Sequence, residues 1–228
     1  MFLLSACAYH SQNSREFKEG IHTERFVPAK GRAFNYWLLS CREKTAGKKV
    51  PLLFIFHGTG GNGRAYLETW KKEAESRQWM VLSPDLDYAY GEQFAKLEDY
   101  TKLLEEVVRQ YPVDNRKIYL GSVSSGALIA RRLFITEPAM WAGMILVASP
   151  NAERWTKGLD GKKYPPVLFV HGRKDEQFDY EVTVHNVQFM KSLGFDVSLI
   201  DWPDGAHEHK EEWNQAIFDW MDNKKGTG

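Results

Sequence analysis

The chain alternates short apolar runs with longer segments in which apolar residues recur at helical spacing. Pro51-Leu52-Leu53-Phe54-Ile55-Phe56 is apolar at every position, the pattern of a central parallel strand covered on both faces. Shorter runs at 79–82, 117–120, 144–147, 167–170 and 197–200 predict five more strands. Ahead of them, residues 21–27 and 33–39 predict an antiparallel pair, with Ala29-Lys30-Gly31 near its turn. Helices are predicted over 66–77, 93–110, 127–134 and 180–193, the last stopped by Gly194. Glu211, Trp213, Ala216, Ile217 and Trp220 mark a closing amphipathic helix. Strands that alternate with helices imply an α/β fold. The expectation is a three-layer α/β/α sandwich around a mostly parallel, eight-stranded sheet. The region 150–165 is too short to hold a large lid domain. No repeat, low-complexity tract or linker divides the chain. Residues 21–228 therefore read as one domain, and 1–20 as a signal remnant and tether.

Composition narrows the function classes. In the 228 residues, 30 basic side chains balance 30 acidic ones, so no basic stripe points to nucleic acid. The eight tryptophans suit an apolar cleft or, more simply, a large aromatic core. Two cysteines, Cys7 and Cys41, exclude a disulfide framework. Leu4-Ser5-Ala6-Cys7 resembles the end of a bacterial lipoprotein signal, in which the cysteine is lipidated and the polar stretch 9–20 would be a tether. The four residues before it are shorter than a working signal, and a frayed N-terminus is the alternative. The expected location is the bacterial cell envelope as a lipoprotein, otherwise the cytoplasm. No run approaches the roughly 18 apolar residues that span a bilayer.

The chemistry concentrates after strands. Ser122-Val123-Ser124-Ser125-Gly126 lies between a predicted strand and a good helix former, the setting of a nucleophile elbow. The elbow needs small residues two before and two after the serine, because strand and helix approach closely there. Ser124 has Ser122 and Gly126; neither Ser122 nor Ser125 has such a pair. Serine in place of the usual first glycine is a mild departure. Further on, Asp175 sits four residues after His171, and Gly205-Ala206-His207 follows the last strand. The order Ser, Asp, His is that of α/β-hydrolases. A general base needs a pKa near working pH, hence a histidine. Of the seven present, His207 follows a glycine-small pair and is preferred, with His209 as the fallback. Asp175 would hold the tautomer of that base. Asp179 and Glu176 are its neighbouring alternatives.

His57-Gly58-Thr59-Gly60-Gly61-Asn62-Gly63 has two readings. Gly58-x-Gly60-x-x-Gly63, with Asp85 and Asp87 a little over twenty residues on, matches a dinucleotide fingerprint. Against it stand the preceding His57, two strands upstream and the lack of any Tyr-x-x-x-Lys pair. In the hydrolase reading the loop presents a backbone N–H to an oxyanion. Thr59 is the candidate and Gly60 the second choice, with the N–H of Ser125 as the other donor. His57 is expected to bond the loop backbone. Gly60 and Trp155 are expected at the substrate. No His-Glu-x-x-His or similar spacing suggests a metal, and none is expected.

Loop 53–63, Tyr119-Leu120-Gly121-Ser122-Val123-Ser124-Ser125-Gly126, His171-Gly172-Arg173-Lys174-Asp175 and Gly205-Ala206-His207 together resemble α/β-hydrolases, over roughly residues 20–222. They look most like small single-domain carboxylesterases of the phospholipase/carboxylesterase, polyhydroxybutyrate depolymerase and feruloyl esterase groups. The resemblance implies a cofactor-free esterase with Ser124, Asp175 and His207 as triad. It would act on short-chain or aromatic esters, as a monomer or homodimer, with a small-molecule ester as its partner. Alternatives are a peptidase of the prolyl-oligopeptidase type, a hydrolase-fold binding protein without turnover and, least favoured, a dinucleotide-binding oxidoreductase.

Overall fold

The structure is a computed structural model, and it describes residues 20–29, 32–40, 48–86, 97–149 and 152–224. The eight strands are β1 (Gly20–Phe26), β2 (Phe34–Ser40), β3 (Val50–Phe56), β4 (Met80–Pro84), β5 (Val113–Val123), β6 (Gly143–Val147), β7 (Val167–Gly172) and β8 (Val197–Trp202). They form one sheet in the order β1-β2-β4-β3-β5-β6-β7-β8. β2 runs antiparallel to both β1 and β4, and every other pairing is parallel. The helices are α1 (Gly63–Arg77), α2 (Leu97–Gln110), α3 (Ala127–Thr136), α4 (Ala152–Thr156), α5 (Tyr180–Ser192) and α6 (Asn214–Asn223).

The all-apolar run of β3 is explained by two cores. Leu52, Phe54 and Phe56 join the cluster under α2, α3 and α5, with Leu120, Phe134, Leu146 and Phe169. Leu53 and Ile55 point to the other face, with Trp70 of α1 and Ile217 and Phe218 of α6. Side chains alternate across a strand, so a strand covered on both faces has no polar position to offer. Each such large side chain contributes roughly 1.5–3 kcal/mol by leaving water. Trp70, Trp79, Trp141 and Trp213 are all fully buried, so at least half of the tryptophans build core. Arg77 ties α1 to α6, bonding Glu73 at 2.6 Å, Asp219 at 2.7 Å and Asp222 at 2.8 Å.

Several boundaries differ from the expectation. β5 begins at Val113, because the polar stretch Asp114-Asn115-Arg116-Lys117 masks its first half; the ladder with β3 shifts between Val50 and Leu52. α1 begins at Gly63, three residues early, because the Asn62 side chain caps it by accepting the N–H of Ala65 at 2.8 Å. Residues 211–213 form a single 3-10 turn, and α6 proper starts at Asn214. α4, only five residues long, has no helical pattern of its own. The predicted helix start at 93 and the β1–β2 turn residues Lys30 and Gly31 lie outside the described residues.

Candidate active site

The C-terminal ends of β3, β5, β7 and β8 carry the pieces singled out in the sequence. β5 ends at Val123, and the chain turns within Ser124–Gly126 into α3. Ser124 has φ of +50°, a left-handed conformation that a non-glycine residue rarely adopts. Its neighbourhood enforces this. A Cβ on Gly126 would lie 2.2 Å from the Phe56 carbonyl oxygen, so strand β3 and the elbow touch backbone to backbone. Ser122 is fully buried, with its hydroxyl 3.4 Å from the Ile145 carbonyl on β6.

Two loops complete the site. After β7 the chain turns at Asp175, and after β8 it turns at Gly205. Gly172 and Gly205 meet with no room for side chains: a Cβ on Gly172 would fall 2.2 Å from the Gly205 oxygen. The N–H of Lys174 donates to that oxygen at 2.8 Å, and that of Arg173 donates to Trp202 at 2.8 Å. The acid-bearing and histidine-bearing loops are thereby fixed to each other. Trp213 backs Gly205 and stacks on Trp202 at 4.8 Å.

This framework brings Ser124, His207 and Asp175 into line. Ser124 Oγ is 2.9 Å from His207 Nε2, and His207 Nδ1 is 2.8 Å from Asp175 Oδ2. The Asp175 side chain is wholly buried and that of His207 is 13% exposed, so one end of the line is dry and the other reachable. Asp175 Oδ1 accepts the N–H groups of Gln177 at 2.8 Å and Phe178 at 2.9 Å. Burial pushes the Asp175 carboxyl up, but the Phe178 N–H, His207 and the Gln177 N–H outweigh it and hold the group below the usual carboxylate range. Of the alternatives, Asp179 caps α5, accepting the N–H of Glu181 at 2.9 Å, and Glu176 is exposed.

His209 sits elsewhere. Its Nε2 is 2.8 Å from Asn214 Oδ1, and its ring lies 4.4 Å from the Trp70 ring and 5.7 Å from that of Tyr66. Burial drives its pKa down to about 4, against the opposing bond to Asn214. The fallback is thus a packed, neutral ring between α1 and α6.

The glycine-rich loop follows β3. His57 Nε2 accepts the N–H of Leu86 at 2.9 Å, so its Nδ1 carries the proton and donates to Gly58 O at 2.8 Å. His57 bonds the loop backbone, as expected, and burial keeps it neutral. The Thr59 N–H donates to the Ser125 hydroxyl at 2.7 Å, and the Thr59 hydroxyl lies 2.8 Å from the same oxygen. Thr59 and Ser125, the two expected donors, are therefore in contact. Gly60 turns at the exposed tip with φ of +78°. Trp155 is half-buried on α4, edge-on to Phe134 at 6.5 Å and under the Arg131 guanidinium at 5.8 Å. Asp85, which a dinucleotide reading would place on a ribose, instead accepts the N–H of Gly63 at 2.9 Å and the Trp37 indole at 3.2 Å. Asp87 and Cys7 lie outside the described residues. Among the described residues, no three His, Cys, Asp or Glu side chains cluster as a metal site, and no helix is long and apolar enough to cross a membrane.

Sequence reasoning missed Ser149. It follows β6, and its hydroxyl is 2.8 Å from the Ser124 carbonyl and 3.0 Å from that of Val147. A buried hydroxyl thus braces the strained peptide from the neighbouring strand. Only the pairing of β5 with β6 reveals it.

No protein-family model matches the sequence, and no curated protein matches it. Solved structures do. A fluorophosphonate-binding serine hydrolase of Staphylococcus aureus superposes with a TM-score of 0.73 over 90% of this chain and 98% of its own, at 16% identity. The fold is that of the α/β-hydrolases. Within that fold, Est1E from Butyrivibrio proteoclasticus matches with a TM-score of 0.70 at 20% identity, over 89% of this chain and 98% of its own. The acylaminoacyl peptidase of Pyrococcus horikoshii matches with a TM-score of 0.66 at 15% identity. That match covers 91% of this chain but only 42% of the peptidase. Identities this low establish architecture, and the α/β-hydrolase fold hosts many chemistries.

Proposed function

We infer that the chain is a serine carboxylester hydrolase working through an acyl-enzyme. The observation that carries this is the line from Ser124 Oγ to His207 Nε2 at 2.9 Å and from His207 Nδ1 to Asp175 at 2.8 Å, built on a strained elbow. In this scheme His207 takes the Ser124 proton as Oγ attacks the ester carbonyl. Asp175 keeps the Nδ1–H tautomer and stabilises the imidazolium. His207 then returns the proton to the departing alcohol. A water activated by the same ring attacks the acyl-enzyme, releasing the acid and restoring the serine.

The oxyanion would sit on the N–H groups of Ser125 and Thr59. In the resting geometry the Ser125 hydroxyl takes the Thr59 donor, so that side chain turns away as the carbonyl oxygen arrives. Gly60 and Trp155 are the rim residues proposed to face substrate, with short-chain or aromatic esters as its class. The scheme uses protein groups and water alone.

The test is covalent labelling. A fluorophosphonate should add to Ser124 in the folded protein and fail with Ser124→Ala. A series of p-nitrophenyl esters of rising chain length, with feruloyl esters alongside, then sets the acyl preference. A folded wild type that neither labels nor turns over any of them is a binding protein on a hydrolase fold.

We also infer, from Leu4-Ser5-Ala6-Cys7 alone, that Cys7 is lipidated and tethers the enzyme to the bacterial cell envelope. Membrane fractionation of wild type and Cys7→Ala decides this; solubility of both refutes the anchor.

A further inference from the structure

The scheme leaves one buried titratable group beside the triad unused. His171 is the penultimate residue of β7, with its side chain 1% exposed. Its Nε2 lies 3.2 Å from Asp175 Oδ2 and 3.1 Å from the Phe178 carbonyl oxygen. Both neighbours are acceptors, so Nε2 carries the proton. Nδ1 is then an acceptor, and it meets the hydroxyl of Thr183 at 2.6 Å, on the first turns of α5. Thr183 is itself fully buried. A neutral ring satisfies all three contacts, and burial favours the neutral form. The Tyr180 ring closes the pocket edge-on, 6.0 Å away.

Asp175 Oδ2 is also the oxygen that receives His207 Nδ1. Three hydrogen bonds hold the carboxylate: two backbone N–H groups fix Oδ1 and His207 bonds Oδ2. The His171 Nε2–H, which donates to the Phe178 carbonyl, stands against the same Oδ2 at 3.2 Å. The backbone pair belongs to the Asp175 loop itself. His171 belongs to the sheet and is seated by a helix, so its ring sets the carboxylate against the scaffold from a side the loop does not supply.

We propose that His171 is a positioning residue for the triad: its ring, seated by the Thr183 hydroxyl and turned with Nε2–H toward Asp175 Oδ2, holds that oxygen in place for His207. This rests on the serine-hydrolase reading of the same site. A ring that merely filled space would need neither the tautomer nor the threonine. Without Thr183 the ring loses the bond that seats its far side, and the Nε2–H is free to swing off the carboxylate.

The experiment compares wild type with His171→Leu, His171→Gln, Thr183→Val and Thr183→Ser. Three quantities are measured: kcat and KM on a short-chain p-nitrophenyl ester, the melting temperature, and the low-field proton resonance of the His207 Nδ1–H. His171→Leu should lower kcat by about 10- to 100-fold with KM held, since small misalignments of reacting groups cost that much. His171→Gln, which can offer an N–H at the same place, should recover most of the loss. Thr183→Val should lower kcat with His171 still present, and Thr183→Ser should not. Should the leucine variant fail to fold, the glutamine and threonine pairs carry the test. Full kcat in a folded His171→Leu, or a Thr183→Val that loses melting temperature but no kcat, overturns the proposal. Should wild type turn over no ester, the proton resonance still decides. Its loss in His171→Leu and Thr183→Val and its retention in the conservative variants support the relay while the esterase reading falls. Its persistence in all variants, or its absence from wild type, overturns the relay.

Discussion

Ser124 combines an unfavourable backbone with a well-placed side chain. A left-handed φ costs a non-glycine residue on the order of 1–3 kcal/mol, and the cost is tolerated only where surrounding contacts over-determine the conformation. Here Ser149, Gly126 and β3 do so. Ser124→Ala should therefore fold normally while ester turnover falls by at least about 10⁴-fold, because nucleophile and proton path vanish together. His207→Ala should lose a comparable factor. His209→Ala should behave oppositely, lowering the melting temperature by emptying the space against Trp70 and Tyr66, with kcat retained in the folded fraction. A dead but stable His209 variant beside an active His207 variant would reverse the assignment of the base. At this scale the serine, acid and histidine were legible because each sits in a short local motif of small residues after a strand. Ser149, Thr183 and His171 were not legible as partners. The Ser149 contact spans 25 residues and depends on the pairing of β5 with β6, and those of Thr183 and His171 depend on how the turn between β7 and α5 folds back on the strand end, which no local pattern encodes.

Elements matter here through where their backbones touch. The parallel strands and long helices were readable because continuous apolar runs and helical periodicity are strong signals. The first half of β5 was hidden by four consecutive polar residues, and α4 is too short to show a period. What the sequence marks with glycine is close approach, as at the β3–elbow contact. Gly126→Ala tests that directly. In an open helix start, replacing glycine by alanine stabilises by roughly 0.4–1 kcal/mol through the unfolded state. Here the new Cβ meets the Phe56 oxygen at 2.2 Å, and backbone cannot swing aside as a side chain would. The expected outcome is destabilisation by at least about 2 kcal/mol, read as a lower denaturant midpoint with an unchanged slope. A gain in stability would mean that β3 and the elbow are not in contact.

At the scale of the whole molecule, burial lowers the pKa of three histidines among the described residues, His57, His171 and His209, and favours their neutral forms. Each has its folded pKa lowered below the unfolded value near 6.5, so the unfolded chain binds protons that the folded one refuses. Stability should be full above about pH 6.5 and fall as pH drops from there toward about 4, where the folded His209 also takes its proton. The loss should be on the order of 1 kcal/mol per pH unit for each histidine that titrates only when unfolded. Asp175, depressed in the folded state, adds its loss only at lower pH, so the histidine window stands apart. Urea midpoints that stay flat between pH 7 and 5 would contradict this. Access to the site is the other property of the whole molecule. Between β6 and β7 the described chain forms only α4 and one 3-10 turn, Gly161–Lys163. The exposed positions there are charged or small, including Glu153, Arg154, Lys157 and Gly158, and Trp155 already packs on Phe134. A lid that opens at an oil surface must turn a broad apolar face outward, and this segment holds too little apolar surface to make one. Rate against concentration of a short-chain ester should therefore saturate smoothly through the solubility limit. An abrupt rise at the onset of emulsion would show that some other segment covers the site and moves at the interface.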